Sequence, residues 1–276
     1  MPTARRVLDL YGAASGGLLA GGLAYAALVA LVPTIVLVVG IAGLAIREPA
    51  DRAAVAGVLA AVFPPLREVL DAVLRDAVSA AGPVTAVGAV VLLWGASRFV
   101  ISFEDALARV MGTAHRRGYL VKNATAFGAV ALLISALLAT AILAGVTTFE
   151  DAVTAAGLPP LLGESGQAAL DLLPPLVAGA ALAAVYRYLP VPRPPWGAVI
   201  PPTVAVGLAL LLIARAFAFV APWLIGMAAV VGALASAFAA LAWLALSFQT
   251  ILVGAAWVRV RAIDEEEAPE VGPLGP

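Results

Sequence analysis

An all-α, polytopic membrane fold with six transmembrane helices is what this sequence predicts, on three observations. Between Leu10 and Ile46 the chain carries no charged side chain, and five more low-charge stretches follow at 77–97, 123–149, 172–186, 194–214 and 216–258. The composition is 63% hydrophobic and 12% charged, with a mean hydropathy of +1.05, so lipid is the solvent along most of the chain. The basic residues also fall unevenly between the apolar stretches. A helix rises about 1.5 Å per residue and must cross about 30 Å of hydrocarbon, so about 20 apolar residues make one crossing.

The first span is placed at 18–46. Arg5 and Arg6 resemble the basic start of a signal peptide, but the apolar core of such a peptide is only about 7 to 15 residues long. This run ends instead in Arg47-Glu48-Pro49, a polar helix stop, so it is read as a retained helix. Pro33 within it frees a backbone carbonyl and is a kink candidate, as is Pro222 beside Gly226. The second span, 81–100, is expected to continue as a helix past the membrane, because Arg98, Ser102, Asp105 and Arg109 form one polar stripe, with Phe99, Phe103, Leu107 and Val110 off it. The third span is placed at 123–147. The fourth, 168–187, is interrupted by Pro174-Pro175 and is expected to begin near Gln167, with the prolines in its first turn, where a missing N–H costs little. The fifth and sixth spans are placed at 197–221 and 226–257.

The connections carry their own signals. Leu66, Val69, Leu70, Val73, Leu74, Ala77 and Val78 fall at helical spacing opposite Arg67, Glu68, Asp71, Arg75 and Asp76. With the charge-free segment 53–63 they predict an amphipathic outer helix pair, resting on the bundle or acting as a lid. Residues 189–196 read L-P-V-P-R-P-P-W, a stiff inner loop. Residues 1–262 form the six-span domain, and 263–276, acidic and proline-rich, are expected to be a disordered cytoplasmic tail. Gly12 and Gly16, Gly17 and Gly21, and Ala20 and Ala24 have the small-xxx-small spacing that lets helix backbones approach; a homo-oligomer is compatible with it.

Orientation follows from charge. Arg5, Arg6, Arg98, Arg109, Arg116, Arg117, Lys122, Arg187, Arg193, Arg259 and Arg261 fall on one side, against Arg47, Arg52, Arg67 and Arg75 on the other. By the positive-inside rule both termini are cytoplasmic. An even number of crossings is required, and six satisfies it.

Catalytic signatures are thin. With no cysteine and His115 as the one histidine, no zinc ligand set can be assembled, and no cofactor motif is present. Glu104 and Asp105 are adjacent, so they point about 100 degrees apart round a helix, with no third acid near in sequence for two-metal chemistry. The basic run from Arg109 to Lys122 is explained by orientation, so nucleic acid is not the favoured partner. Arg215, in L-L-L-I-A-R-A-F, is the one ionisable residue deep in a span; it either snorkels or binds an anion or headgroup.

The chain resembles the YihY/virulence factor BrkB family over nearly its whole length. The matching stretches are G-L-A-Y-A-A-L-V-A-L-V-P at 22–33 leading to Gly43-Leu44, L-L-W-G-A-S-R at 92–98, A-L-A-R-V-M-G at 106–112, Y-R-Y-L-P at 186–190 with Trp196, and Gly232, Trp243 and Gly254-Ala255. Ala108 stands where the family often has asparagine, and the Tyr-Gly pair usual before the last helix is not evident around Leu224 to Met227. The resemblance implies an inner-membrane protein linked to the envelope. It also carries the older label ribonuclease BN, for which only Glu104, Asp105 and His115 would be candidates on the cytoplasmic side.

The expected function is transport or export of an amphipathic or anionic envelope-related molecule, without covalent catalysis. Arg98, Arg187, Arg215, Asp105, Tyr25 and Tyr186 are the candidate contacts. The expected partners are the bilayer and an anionic lipid or amphipathic solute. A non-catalytic scaffold is the alternative, and a membrane-tethered ribonuclease that processes tRNA is the third reading.

Overall fold

The computed structural model describes residues 3–45, 83–113, 163–190, 192–231 and 233–267. These residues fold into six α-helices: α1 (Thr3–Ala13), α2 (Gly16–Ala45), α3 (Pro83–Met111), α4 (Gly163–Tyr188), α5 (Trp196–Val231) and α6 (Ala233–Glu267), with no strand among them. Two segments, Trp196–Val220 and Ala237–Glu267, are long and apolar enough to cross a membrane, and the bent pair Thr3–Ala13 and Gly16–Ala30 makes a third if taken as one span. The expected third span, the amphipathic outer pair and His115 lie outside the described residues.

α1 is a separate helix that the sequence analysis did not set apart. Val7, Leu10, Tyr11 and Ala14 pack on the core at the spacing of one helical face, while Arg5, Leu8 and Asp9 are exposed. A 62° bend separates it from α2. Ser15 takes the turn with φ 55°, and Gly16 lies so close beneath the Tyr11 ring that no side chain fits there.

α6 runs along the middle of the fold, packing on α1, α2, α3 and α5, while α2 also pairs with α3 and α4 with α5. The core collects near the carboxyl ends of α3 and α6: Ala106, Leu107, Val110 and Met111 from α3 meet Leu252, Ala255, Ala256, Val258 and Val260 from α6, with Leu23 and Ala24 of α2. Phe99 and Phe103 stack at 6.1 Å and both tilt against Phe248, at 5.7 and 6.1 Å. Off-centre ring pairs at these distances are favourable, by about 0.5 to 1.5 kcal/mol each beyond burial. The expected polar stripe on α3 is borne out in outline: Arg98, Ser102 and Arg109 are exposed and Asp105 is half-buried, while Leu107 and Val110 are buried.

Two glycines hold this arrangement. At Gly254 an added Cβ would collide with Val206 of α5 and the Tyr186 hydroxyl of α4, so only glycine lets three helices converge there. Gly112 ends α3 with φ 63°, its N–H bonded to Arg109 O at 3.2 Å and the Thr113 N–H to Ala108 O at 3.0 Å. That is a Schellman cap, the left-handed ending that glycine adopts without strain.

Four boundaries differ from expectation. α4 begins at Gly163, not near Gln167, so Pro174-Pro175 lie more than three turns inside it. α5 continues through Pro222 to Val231 and α6 starts at Ala233, later than the expected 221 and 226. α6 also extends to Glu267, so residues 263–267 of the acidic segment are helical. The reason lies in their contacts: Asp264 pairs with Arg6 of α1 at 2.5 Å, and Arg261 with Glu265 at 3.9 Å one turn on.

Candidate functional site

The end of the fold that holds α1 and the carboxyl end of α6, called the terminal end below, gathers most of the charged side chains that the structure describes. Arg259 of α6 donates from Nη1 to Val110 O at 3.3 Å, satisfying a carbonyl at the end of α3. The Glu265 carboxylate lies against Gly197 in the first turn of α5, where the positive end of the helix dipole attracts it. Together with Arg6 and Asp264, these contacts join α1, α3, α5 and α6 at one place.

Beside them is the connection from α4 to α5, irregular at residues 189–190 and 192–195 as the proline run implies. Prolines lack N–H donors, so the turn closes through side chains. Arg187 Nη1 donates to Pro194 O at 2.5 Å, and its guanidinium lies over the Trp196 ring, 5.6 Å from the centroid. Arg193 sits over Tyr188 at 5.4 Å, and Tyr188 meets Trp196 edge-on at 6.4 Å. A cation over an aromatic face at such an exposed place contributes about 0.5 to 1 kcal/mol. Arg187 Nε is buried without a hydrogen-bond partner.

The remaining candidates are dispersed. Tyr186 is fully buried, and its hydroxyl donates to Ile251 O at 2.6 Å, which fastens α4 to α6. Tyr25 is 65% exposed on α2. Arg98 is exposed on α3, its carbonyl accepting from the Ser102 hydroxyl at 2.9 Å, and Asp105 is half-buried beside buried Glu104. Arg215 is exposed on α5 between Leu211, Leu212 and Phe219. It stands 19 residues beyond Trp196, about 29 Å along the axis. Arg187 and Arg215 therefore mark opposite ends of an apolar length of helix and do not share one site. The side chains of Pro33 and Pro222 lie outside the described residues; the helices continue through both positions.

Sequence reasoning missed the pairing of Arg193 with Tyr188 and of Glu265 with the start of α5. The signal for the first was present, since arginines and aromatics alternate around the proline run at 186–196. The second depends on residues far apart in the chain and left no local trace. Among the described residues no three His, Cys, Asp or Glu side chains come together as a metal ligand set.

No curated protein and no solved structure matches the chain significantly. Residues 7–273 match the family described as Virulence factor BrkB, which takes in every described helix but the first residues of α1. The matched range includes Gly112, Tyr186 and Gly254, each of which holds a cap or a close helix contact. The chain is thus a membrane protein that belongs to the Virulence factor BrkB family.

Proposed function

We propose that the protein crosses the cell (inner) membrane six times with both termini in the cytoplasm, and moves or binds an amphipathic, anionic envelope-related molecule without covalent catalysis. Path counting supports the six crossings. α1, the start of α2, the ends of α3, α4 and α6 and the start of α5 all meet at the terminal end. α2 and α5 therefore leave that end, while α3, α4 and α6 return to it. One more departure is needed between Met111 and Gly163, where the sequence places the 123–147 span. The excess of arginine at this end supports its cytoplasmic placement.

The observation that carries the ligand class is the exposed face of α5, apolar through Ile200, Val204, Leu208 and Leu212, with Arg187 and Trp196 at its start and Arg215 about 29 Å on. A greasy surface about as long as the hydrocarbon is thick, with a guanidinium at each end, suits a molecule having both an apolar body and a negative group. Arg98 and Asp105, on the exposed stripe of α3, are the secondary contacts.

A scaffold without ligand is the second reading, favoured by the apolar filling of the described core. The ribonuclease reading gains nothing from the described carboxylates. The test is flux of fluorescent phosphatidylglycerol in proteoliposomes. Arg215→Ala and Arg98→Ala are expected to lower it by roughly tenfold and severalfold, since each removes a charge contact. Equal flux in all three proteins rejects those contacts, and no flux above empty liposomes favours the scaffold.

A further inference from the structure

We propose that the turn between α4 and α5 is a binding site for the phosphodiester headgroup of an anionic phospholipid in the leaflet at the terminal end, held by Arg187 and Arg193. This rests on the transport or binding reading above and names its ligand and the leaflet from which it is taken.

Three features single out this turn. First, it holds two cations that, among the described residues, have no carboxylate partner, unlike Arg6 and Arg261 close by. Second, the guanidiniums are held in place before any ligand arrives: Arg187 is fixed by Pro194 O and the Trp196 face, and Arg193 rests on Tyr188. Arg187 bonds through Nη1 and buries Nε, so the two-pronged grip that a guanidinium can make on a phosphate falls to the exposed Arg193, with Arg187 adding its charge beside it. Third, Tyr188 and Trp196 are 48% and 46% exposed, as aromatic side chains are where hydrocarbon meets headgroups.

The surroundings choose a lipid over free phosphate. From Trp196 the exposed side chains Ile200, Val204 and Leu208 continue for about 18 Å along α5, a length suited to an acyl chain and useless to an inorganic ion. The anion is directed to the arginines and not to the α5 helix terminus, because the Glu265 carboxylate already lies against Gly197. If the terminal end faces the cytoplasm, the leaflet concerned is the one rich in anionic lipid.

The experiment is native mass spectrometry of the full chain released from nanodiscs of mixed phosphatidylglycerol and phosphatidylcholine, with inorganic phosphate as a separate competitor. The intact protein is expected to retain phosphatidylglycerol selectively, and Arg187→Gln with Arg193→Gln to lose that selectivity by roughly tenfold or more. Arg193→Gln alone, at an exposed side chain that makes no hydrogen bond among the described residues, should keep the fold and lose part of the selectivity. Displacement by millimolar phosphate would show an anion site without lipid preference and overturn the lipid assignment. Unchanged selectivity in both variants, or equal retention of phosphatidylcholine by the intact protein, overturns the site itself. Selective retention without flux in proteoliposomes would leave this site standing and defeat the transport reading instead.

Discussion

The carboxyl half of α6 and the outer face of α5 are built from similar residues and treated oppositely. Near the terminal end Leu252, Val258 and Val260 are fully buried against α3 and its neighbours, whereas Leu208, Leu212 and Phe219 of α5 are 58%, 71% and 86% exposed. In water the second pattern would be ruinous, since burying one such side chain is worth about 1.5 to 3 kcal/mol. In hydrocarbon that force vanishes, because lipid tails are as apolar as leucine. The difference separates two environments: the packed cluster lies where α2, α3 and α6 cover one another, and the exposed apolar face of α5 is the kind of surface that a lipid solvent tolerates.

The sharpest way to break this contrast is a matched pair of truncations. Leu252→Ala should cost about 2 to 5 kcal/mol, by leaving a cavity in the packed cluster. Leu212→Ala, by contrast, should cost no more than about 0.6 kcal/mol, the worth of a leucine in a lipid-exposed helix. Thermal unfolding in detergent, followed by helical circular dichroism, reads both; comparable losses would mean that the α5 face is covered by protein.

A smaller effect is expected where the packed region is capped. Gly112→Ala forces a side chain into a left-handed turn beneath the Arg259 guanidinium, at about 1 to 2 kcal/mol by the same measurement. A variant as stable as the parent would show that the cap re-forms without the left-handed residue. Smallest is the Arg6 and Asp264 pair, whose side chains are 36% and 43% exposed. Either alanine variant should lose less than about 1 kcal/mol, and the loss should fade at 1 M salt, where the screening length is about 3 Å. A salt-independent loss would point to packing of the Arg6 stem instead.

These regions also differ in how far the sequence disclosed them. Uncharged runs marked α2, α5 and α6 directly, because the bilayer enforces length and composition locally. The stripe through Arg98, Ser102 and Arg109 likewise gave the extension of α3. Pro174-Pro175 misplaced the start of α4, since local preference puts such a pair at a helix end while lipid and neighbouring helices favour continued helix. The helical end of α6 was hidden because Asp264 and Glu265 read as a solvated tail until Arg6 and Gly197 are seen beside them. Of the candidate site, the single arginines were legible and their partners were not. Arg187 acquires its meaning from a ring and a carbonyl that the proline turn folds back onto it.

The bond between Arg6 and Asp264 joins positions 258 residues apart. A ribosome releases the first helix long before the last exists, so α1 cannot complete its contacts with α6 until everything between has been made. Only a chain translated to its final turn can seat it. Chains that stall before α6 would leave Val7 without most of its covering, while Tyr11 would keep its contact with Gly16.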